Sequence, residues 1–261
     1  MPPNNVACGG DRGRALRETG AHRISMSRAN SSWLARRIEE AVRTTLSGAY
    51  KSIKVDSGKY LQHLRRAYGL PIESFREMHA LPVSVVEHIA DRTIAASTKV
   101  ALAEGAGLGV GGILTVVPDV GFLTTLSVRM IQKLSLIYGF EYSTEDEIAE
   151  LWIAAASAAG VDIGKELLER EVIERFVPRV IERIAVRAGA EVAEKWAARL
   201  VPLVSSAACG ALNYYFIRGW GRRAQRHFRE RRLLVRNHFQ LDSAGTSIQL
   251  PSGTVREPPA D

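Results

Sequence analysis

Residues 105–119 read GAGLGVGGILTVVPD, fourteen uncharged positions closed by a single carboxylate. Helical periodicity leads into them. Val86, Ile89, Ala90, Ile94 and Val100 mark one face, which predicts a helix from Val83 to Glu104 with Pro82 tolerated in its first turn. Beyond Asp119 the run VGFLTTLSV stays uncharged as far as Arg129. Two apolar arms on either side of Pro118-Asp119 predict a helical hairpin centred on that dipeptide, with Asp119 capping the second arm. That arm, Val120 to Tyr138, stops at Gly139, the residue type that most readily takes a left-handed C′ conformation. Gly105, Gly109 and Gly112, with Ala101 and Ala106 nearby, suit close approach between helix backbones.

Working outward, every other periodic segment is also helical. Trp33, Leu34, Ile38, Ala41, Val42 and Leu46 predict an amphipathic helix over 33–50, and a short one follows at about 58–68 before a connector holding Gly69 and Pro71. Thr144 and Glu147 form a capping box that opens a helix running to Gly160. A long helical pattern over 163–200 carries Pro178, where a bend or interruption is expected. Nothing reads as a strand. The fold class is therefore all-α, a bundle of helical hairpins. We expect a disordered basic arm over 1–30, in which Met26 is a candidate translation start. A single helical domain follows over 31–239, with 31–82 an N-terminal extension, and then a disordered tail over 240–261 rich in Ser, Gly and Pro.

The 261 residues suffice for a substantial core, and 46% hydrophobic content is ordinary for a globular chain. Cys8 and Cys209 stand far apart, so neither a disulfide framework nor a metal site is expected, and a reducing compartment fits. No apolar leader is present in the first thirty residues, so secretion is not expected. The formal charge of +7 is local: Arg218 to Arg236 holds eight arginines and one glutamate, and the remainder sums to zero. Such a block meets anionic lipid or nucleic-acid phosphate.

Motifs that carry chemistry are absent or incomplete. Gly107, Gly109 and Gly112 match GxGxxG in letters only, because a helix rather than a strand precedes them and no dinucleotide site is expected. Gly160 to Lys165 is one spacer short of a phosphate loop, with Glu166 where Ser or Thr should follow the lysine. No metal-binding or hydrolytic signature occurs, so no catalytic, cofactor or metal residue is assigned. Asp119 is the carboxylate most in need of explanation, and Asn213, at the edge of the uncharged run 200–217, raises the same question. That run is eighteen residues long, the length at which a membrane span becomes worth considering, although Pro202 and Asn213 count against one.

Within the basic block Phe216, Trp220, Ala224 and Phe228 recur every four residues, flanked by Arg218, Arg222, Arg223, Arg226, Arg229 and Arg232. Such a helix can lie in a head-group layer with its aromatics inward and its guanidinium groups reaching phosphate. The alternative is a helix docked on the core by the same stripe. Nucleic acid is disfavoured, since no helix-turn-helix or aromatic platform accompanies the charge.

From about Val83 to Leu234 the chain resembles the EcsC family of bacterial proteins. Four features carry the resemblance in order: GAGLGVGG, Pro118-Asp119 followed by a long helix with Arg129, the Tyr138-Gly139 stop, and GALNYYF leading to Ala224 and Phe228. The family is named for a protein encoded beside the subunits of an ABC transporter, so the resemblance implies cell-envelope association and carries over no catalytic residue. The expectation is a cytoplasmic accessory protein that touches an anionic membrane surface or membrane complex through Arg218–Arg236. Two rival readings are a helical carrier of a hydrophobic ligand and a hydrolase using Asp119. The sequence leaves the oligomeric state open.

Overall fold

A computed structural model describes residues 33–49, 55–108, 116–163, 173–196 and 206–242, and all regular structure within them is helical. In chain order the elements are α1 (33–49), α2 (Ser57–Tyr68), a short 3-10 helix (Phe75–Ala80), α3 (Val83–Leu108), α4 (Val116–Ile137), α5 (Glu145–Ala159), α6 (Ile173–Trp196) and α7 (Ser206–Asp242). The all-α reading is met. The expected terminal arm over 1–30, the tail beyond 242, Gly109, Gly112 and the Lys165-Glu166 near-motif lie outside the described residues.

α3 and α7 form the longest pairing and run antiparallel. Gly105 of α3 meets Cys209 and Asn213 of α7, Leu102 meets Gly210, Ile94 meets Gly221, and Glu87 pairs with Arg229. A Cβ on Gly105 would stand 2.5 Å from Asn213 Nδ2, and one on Gly210 would stand 2.8 Å from the Leu102 carbonyl oxygen. Real side-chain carbons do not come so near, so glycine at both positions is what lets the two backbones touch. The small residues thus act as packing devices inside helices, not in a turn.

α4 is the central element. Its buried positions, including Val120, Leu123, Ser127, Met130, Ile131, Leu134 and Ile137, fall on all sides of the helix, and an all-round apolar helix is one enclosed by others. By length and composition Val117–Ile137 could cross a membrane, and 67% of that window is buried within the bundle. Its hydroxyls are satisfied locally: Thr124 Oγ1 donates to the Val120 carbonyl at 2.8 Å and Thr125 Oγ1 to that of Gly121 at 2.9 Å. The helix ends in a Schellman turn, with Phe140 N bonded to Ser135 O, Gly139 N to Leu136 O, and Gly139 at φ 90°.

Two expectations need correction here. Pro118 and Asp119 are not the hairpin turn; both lie in the first turn of α4, which starts at Val116. The first four N–H groups of a helix have no intrahelical acceptor, so proline is tolerated in this first turn. Asp119 is accordingly not an N-cap. Pro178 likewise lies inside α6 without ending it.

The remaining helices close the bundle. α1 buries Leu34, Ile38, Val42, Leu46 and Ala49 and lies along α6, with Ala35 and Glu39 against Gly189 and Arg43 Nη2 donating to Glu182 at 2.9 Å. The segment before α2 is tied to α4 by Val55 N donating to Gln132 Oε1 at 3.1 Å. The expected capping box is present at α5: Thr144 accepts from Glu147 N while the Glu147 carboxylate accepts from Thr144 N at 3.1 Å.

Candidate functional site

The basic segment is the middle of α7, and its period of four sends one stripe into the core. Trp220 is 2% exposed, and Ala224 and Phe228 are at 0%. Phe228 stacks on Tyr138 and Phe140 at centroid distances of 6.3 and 6.1 Å. Arg232 is 1% exposed and donates from Nη2 to the carbonyl oxygens of Leu81 at 2.8 Å and His79 at 3.3 Å. Trp220, Phe228 and Arg232 are thereby removed from the set expected to touch a membrane. An amphipathic stripe with this spacing fits a bundle core and a head-group layer equally well, and here the core of α3, α4 and α5 claims it.

The outer arginines are largely committed to other helices. Arg222 pairs with Asp91, Arg229 Nε with Glu87 at 2.8 Å, and Arg231 Nε with Glu150 at 3.6 Å. Arg223 donates to the Ala158 carbonyl at the C-terminal end of α5, where a cation satisfies an orphan acceptor and opposes the helix dipole. Burial first, and neighbouring Arg187 and Arg226 after it, push the Arg223 guanidinium below its usual range. Glu150 also meets His227 Nε2 at 3.0 Å. Burial alone would raise the Glu150 carboxyl, but the His227 bond and the Arg231 charge outweigh it and hold the group below the ordinary carboxylate range.

Between α3 and α7 these pairs frame an open cleft of about 270 Å³ lined by Glu87, Asp91, Arg222, Gln225, Arg226 and Arg229. Gln225 donates to Asp91 at 2.8 Å and accepts from Arg222 at 2.8 Å. Nearby stands Tyr138 at 0% exposure, with the Gln225 side chain in hydrogen-bonding reach of its hydroxyl. Burial raises that hydroxyl to about 12, and Gln225, Glu87, Arg229 and Asp91 are its polar neighbours. Nε and Nη1 of Arg232 are buried and unpartnered, with Tyr138 and Glu87 in their field. Burial and Arg236 bring the Arg232 guanidinium down to about 10. Sequence reasoning found the arginines and missed Glu87, Asp91, Gln225 and Tyr138. The available signal was the acidic pair four residues apart on one face of α3, which faces the basic block.

The other expected residues gather at the opposite end of the α3–α7 pair. There Asn213 Nδ2 donates to Asp119 Oδ1 at 2.9 Å, both side chains at 0% exposure, beside the Gly105–Cys209 contact. Gly105, Asp119 and Asn213 thus tie α3, α4 and α7 together. On the same stretches of these three helices Leu102, Val117 and Tyr215 are 43%, 42% and 70% exposed, and Val100, on the other side of α3 from Leu102, is 48% exposed. Tyr215 meets Tyr214 edge-on, and Arg218 lies over the Tyr214 ring at 5.7 Å and donates to its hydroxyl at 2.6 Å.

Comparison with known proteins adds the following. The model of the EcsC protein family matches residues 25–233. Among curated proteins, the chain is 28% identical to Protein EcsC of Bacillus subtilis over 134 residues, 51% of this chain and 57% of that protein. It is 24% identical to the uncharacterized protein YdbA of the same organism over 113 residues, 43% of this chain and 42% of that one. The matches therefore span about half the length of these relatives. No solved structure matches.

Proposed function

The chain belongs to the EcsC protein family, and from that premise we propose that it is an accessory protein of the cytoplasmic membrane face which docks by its apolar end. The observation that supports the reading is that Leu102, Val117 and Tyr215, all exposed, lie on the three helical segments tied together by the Gly105, Asp119 and Asn213 contacts. Exposed large apolar side chains at one end of a helix pair suit a contact surface. Tyr214, Tyr215 and Arg218 form the border expected at a lipid interface, with rings at head-group depth and the Arg218 guanidinium held beside them over Tyr214. The basic block is not the primary contact in this reading, because Arg232 is buried, Arg223 caps α5, and Arg222, Arg229 and Arg231 are paired.

Flotation with vesicles of phosphatidylcholine and phosphatidylglycerol tests it. Wild-type protein is expected to float, and Leu102→Glu with Tyr215→Glu is expected to weaken binding at least about tenfold by placing two charges at the interface. Arg222→Gln with Arg229→Gln should float like wild type. A wild-type protein left at the bottom of the gradient, or a Glu variant that floats unchanged, rules the docking surface out.

A further inference from the structure

The outer seam between α3 and α7 changes character along its length. The two helices keep one antiparallel register, with Gly221 against Ile94 and Gly210 against Leu102 and Ala106. The Asp91–Arg222 pair marks the face on which they meet in the open. From Asp91, steps of three and four residues lead along α3 through Ala95, Lys99, Leu102 and Ala106, all exposed. From Arg222 the same steps lead along α7 through Arg218 and Tyr215, both exposed, to the partly exposed Ala211. The seam is therefore ion-paired at the 91–222 level. Further on, the register sets Lys99 and Arg218 across from each other, and beyond them both rows end in uncharged side chains.

The ion-paired face of α1 and α6 lies away from this seam. On α4, Gly121 faces Thr45 of α1 while Met130 faces Gly221 of α7. These two positions are about two and a half turns apart, so they point in opposite directions. α6 is held to α1 by Glu182 and Arg43. α4 thus stands between the α3–α7 seam and the charged α1–α6 face.

Building on the docking reading above, we propose that the bundle meets the bilayer tilted onto this seam, with Lys99 and Arg218 at the lipid phosphates and Leu102, Ala106 and Tyr215 beneath them in the acyl region. Long cationic side chains that border an apolar surface reach back to the head-group layer. Arg218 already lies over the Tyr214 ring and donates to its hydroxyl, beside aromatic rings that suit the same depth. Phosphate is common to zwitterionic and anionic lipids, so this border fixes orientation and depth and leaves affinity to the apolar side chains. From Lys99 to Leu108 α3 runs on for about 14 Å, close to the half-thickness of a hydrocarbon core, about 15 Å. The seam therefore enters one leaflet, and helical backbone, whose polar groups bond within the segment, is suited to that environment.

Depth measurements by nitroxide labelling test the orientation. Ala95→Cys, Ala103→Cys and Ala106→Cys on α3, and Val186→Cys on α6, all at exposed positions, are labelled singly in the full chain carrying Cys8→Ser and Cys209→Ala. Oxygen and nickel-chelate accessibilities are then read by electron paramagnetic resonance on vesicles of phosphatidylcholine and phosphatidylglycerol. The labels at 103 and 106 are expected in the hydrocarbon with 106 the deeper, the label at 95 among the head groups, and the label at 186 in water. Lys99→Leu with Arg218→Leu removes the phosphate border and should draw the label at 95 inward by about 5 Å, one helical turn. Should the Cys209→Ala background melt below wild type, Cys8→Ser alone serves, because Cys209 is buried and shielded from the label. Equal depth at 95 and 106, a label at 186 deeper than that at 106, or a label at 95 unmoved by the leucine pair overturns the proposal. Protein that floats with the labels at 103 and 106 in water sinks the orientation alone, whereas protein that fails to float sinks the docking reading with it.

Discussion

His79 is held by contacts that leave no room for a hydrated cation. Its ring lies where a Cβ on Gly139 would come within 2.6 Å, meets Phe140 edge-on at 5.2 Å, and has an unpartnered Nδ1, while its carbonyl accepts from Arg232. Burial, and then the Arg232 charge, push the imidazole below its ordinary value of 6.5, with a hydrogen bond to the Gly139 backbone only partly opposing them. A histidine whose folded pKa is depressed binds a proton more readily when unfolded, so stability rises with pH between the two values. The contribution is complete above the unfolded value and is lost as pH falls from there toward the folded one. Urea midpoints should therefore decline as pH falls below the ordinary histidine value of 6.5. His79→Gln should flatten that decline. An identical slope in the variant would assign the acid sensitivity elsewhere.

At the scale of elements, the approach of α3 to α7 is limited by backbone. Gly210→Ala would bring a Cβ to 2.8 Å from the Leu102 carbonyl oxygen, which cannot rotate away as a side chain can. The variant is expected to lose about 1–3 kcal/mol in urea unfolding as the helices are forced apart, and stability equal to wild type would mean that the two helices separate freely. The helices themselves were legible in sequence because their signals are local: the Thr144-Glu147 box, the Gly139 stop and the period of α1 all appear where expected. Contacts made across the bundle were not. Asp119 looked like a cap because Pro-Asp commonly starts a helix, yet α4 begins at Val116 and the carboxyl meets Asn213, ninety-four residues away. The stripe Phe216, Trp220, Ala224 and Phe228 was legible as apolar, but whether it faces lipid or protein depends on α3, α4 and α5 rather than on its own spacing. Tyr138 carried no sequence signal beyond marking a helix end.

For the whole molecule, the formal charge of +7 misstates the field that a membrane would meet. Every net positive charge belongs to residues 218–236, yet Arg232 is buried, Arg223 caps α5, and Arg222, Arg229 and Arg231 face carboxylates from α3 and α5. Exposed pairs of this kind are weak in stability, but they do cancel charge at distances beyond a Debye length of about 8 Å in physiological salt. An unpaired polybasic helix would gain about 1 kcal/mol per arginine near an anionic surface, so its binding would fall by orders of magnitude with added salt. Apolar docking at the 100–108 end of α3 has no such dependence. Vesicle binding is therefore expected to change by less than about threefold when sodium chloride is raised from roughly 0.1 M to 0.5 M, a range over which screening shortens from about 10 Å toward 4 Å. A loss of a hundredfold would return the arginine block to the role of primary contact and require the α3–α7 ion pairs to open on the membrane. In that case Glu87→Gln with Asp91→Asn, which frees Arg229 and Arg222, should strengthen binding, whereas docking by the apolar end predicts little change from the same pair of substitutions.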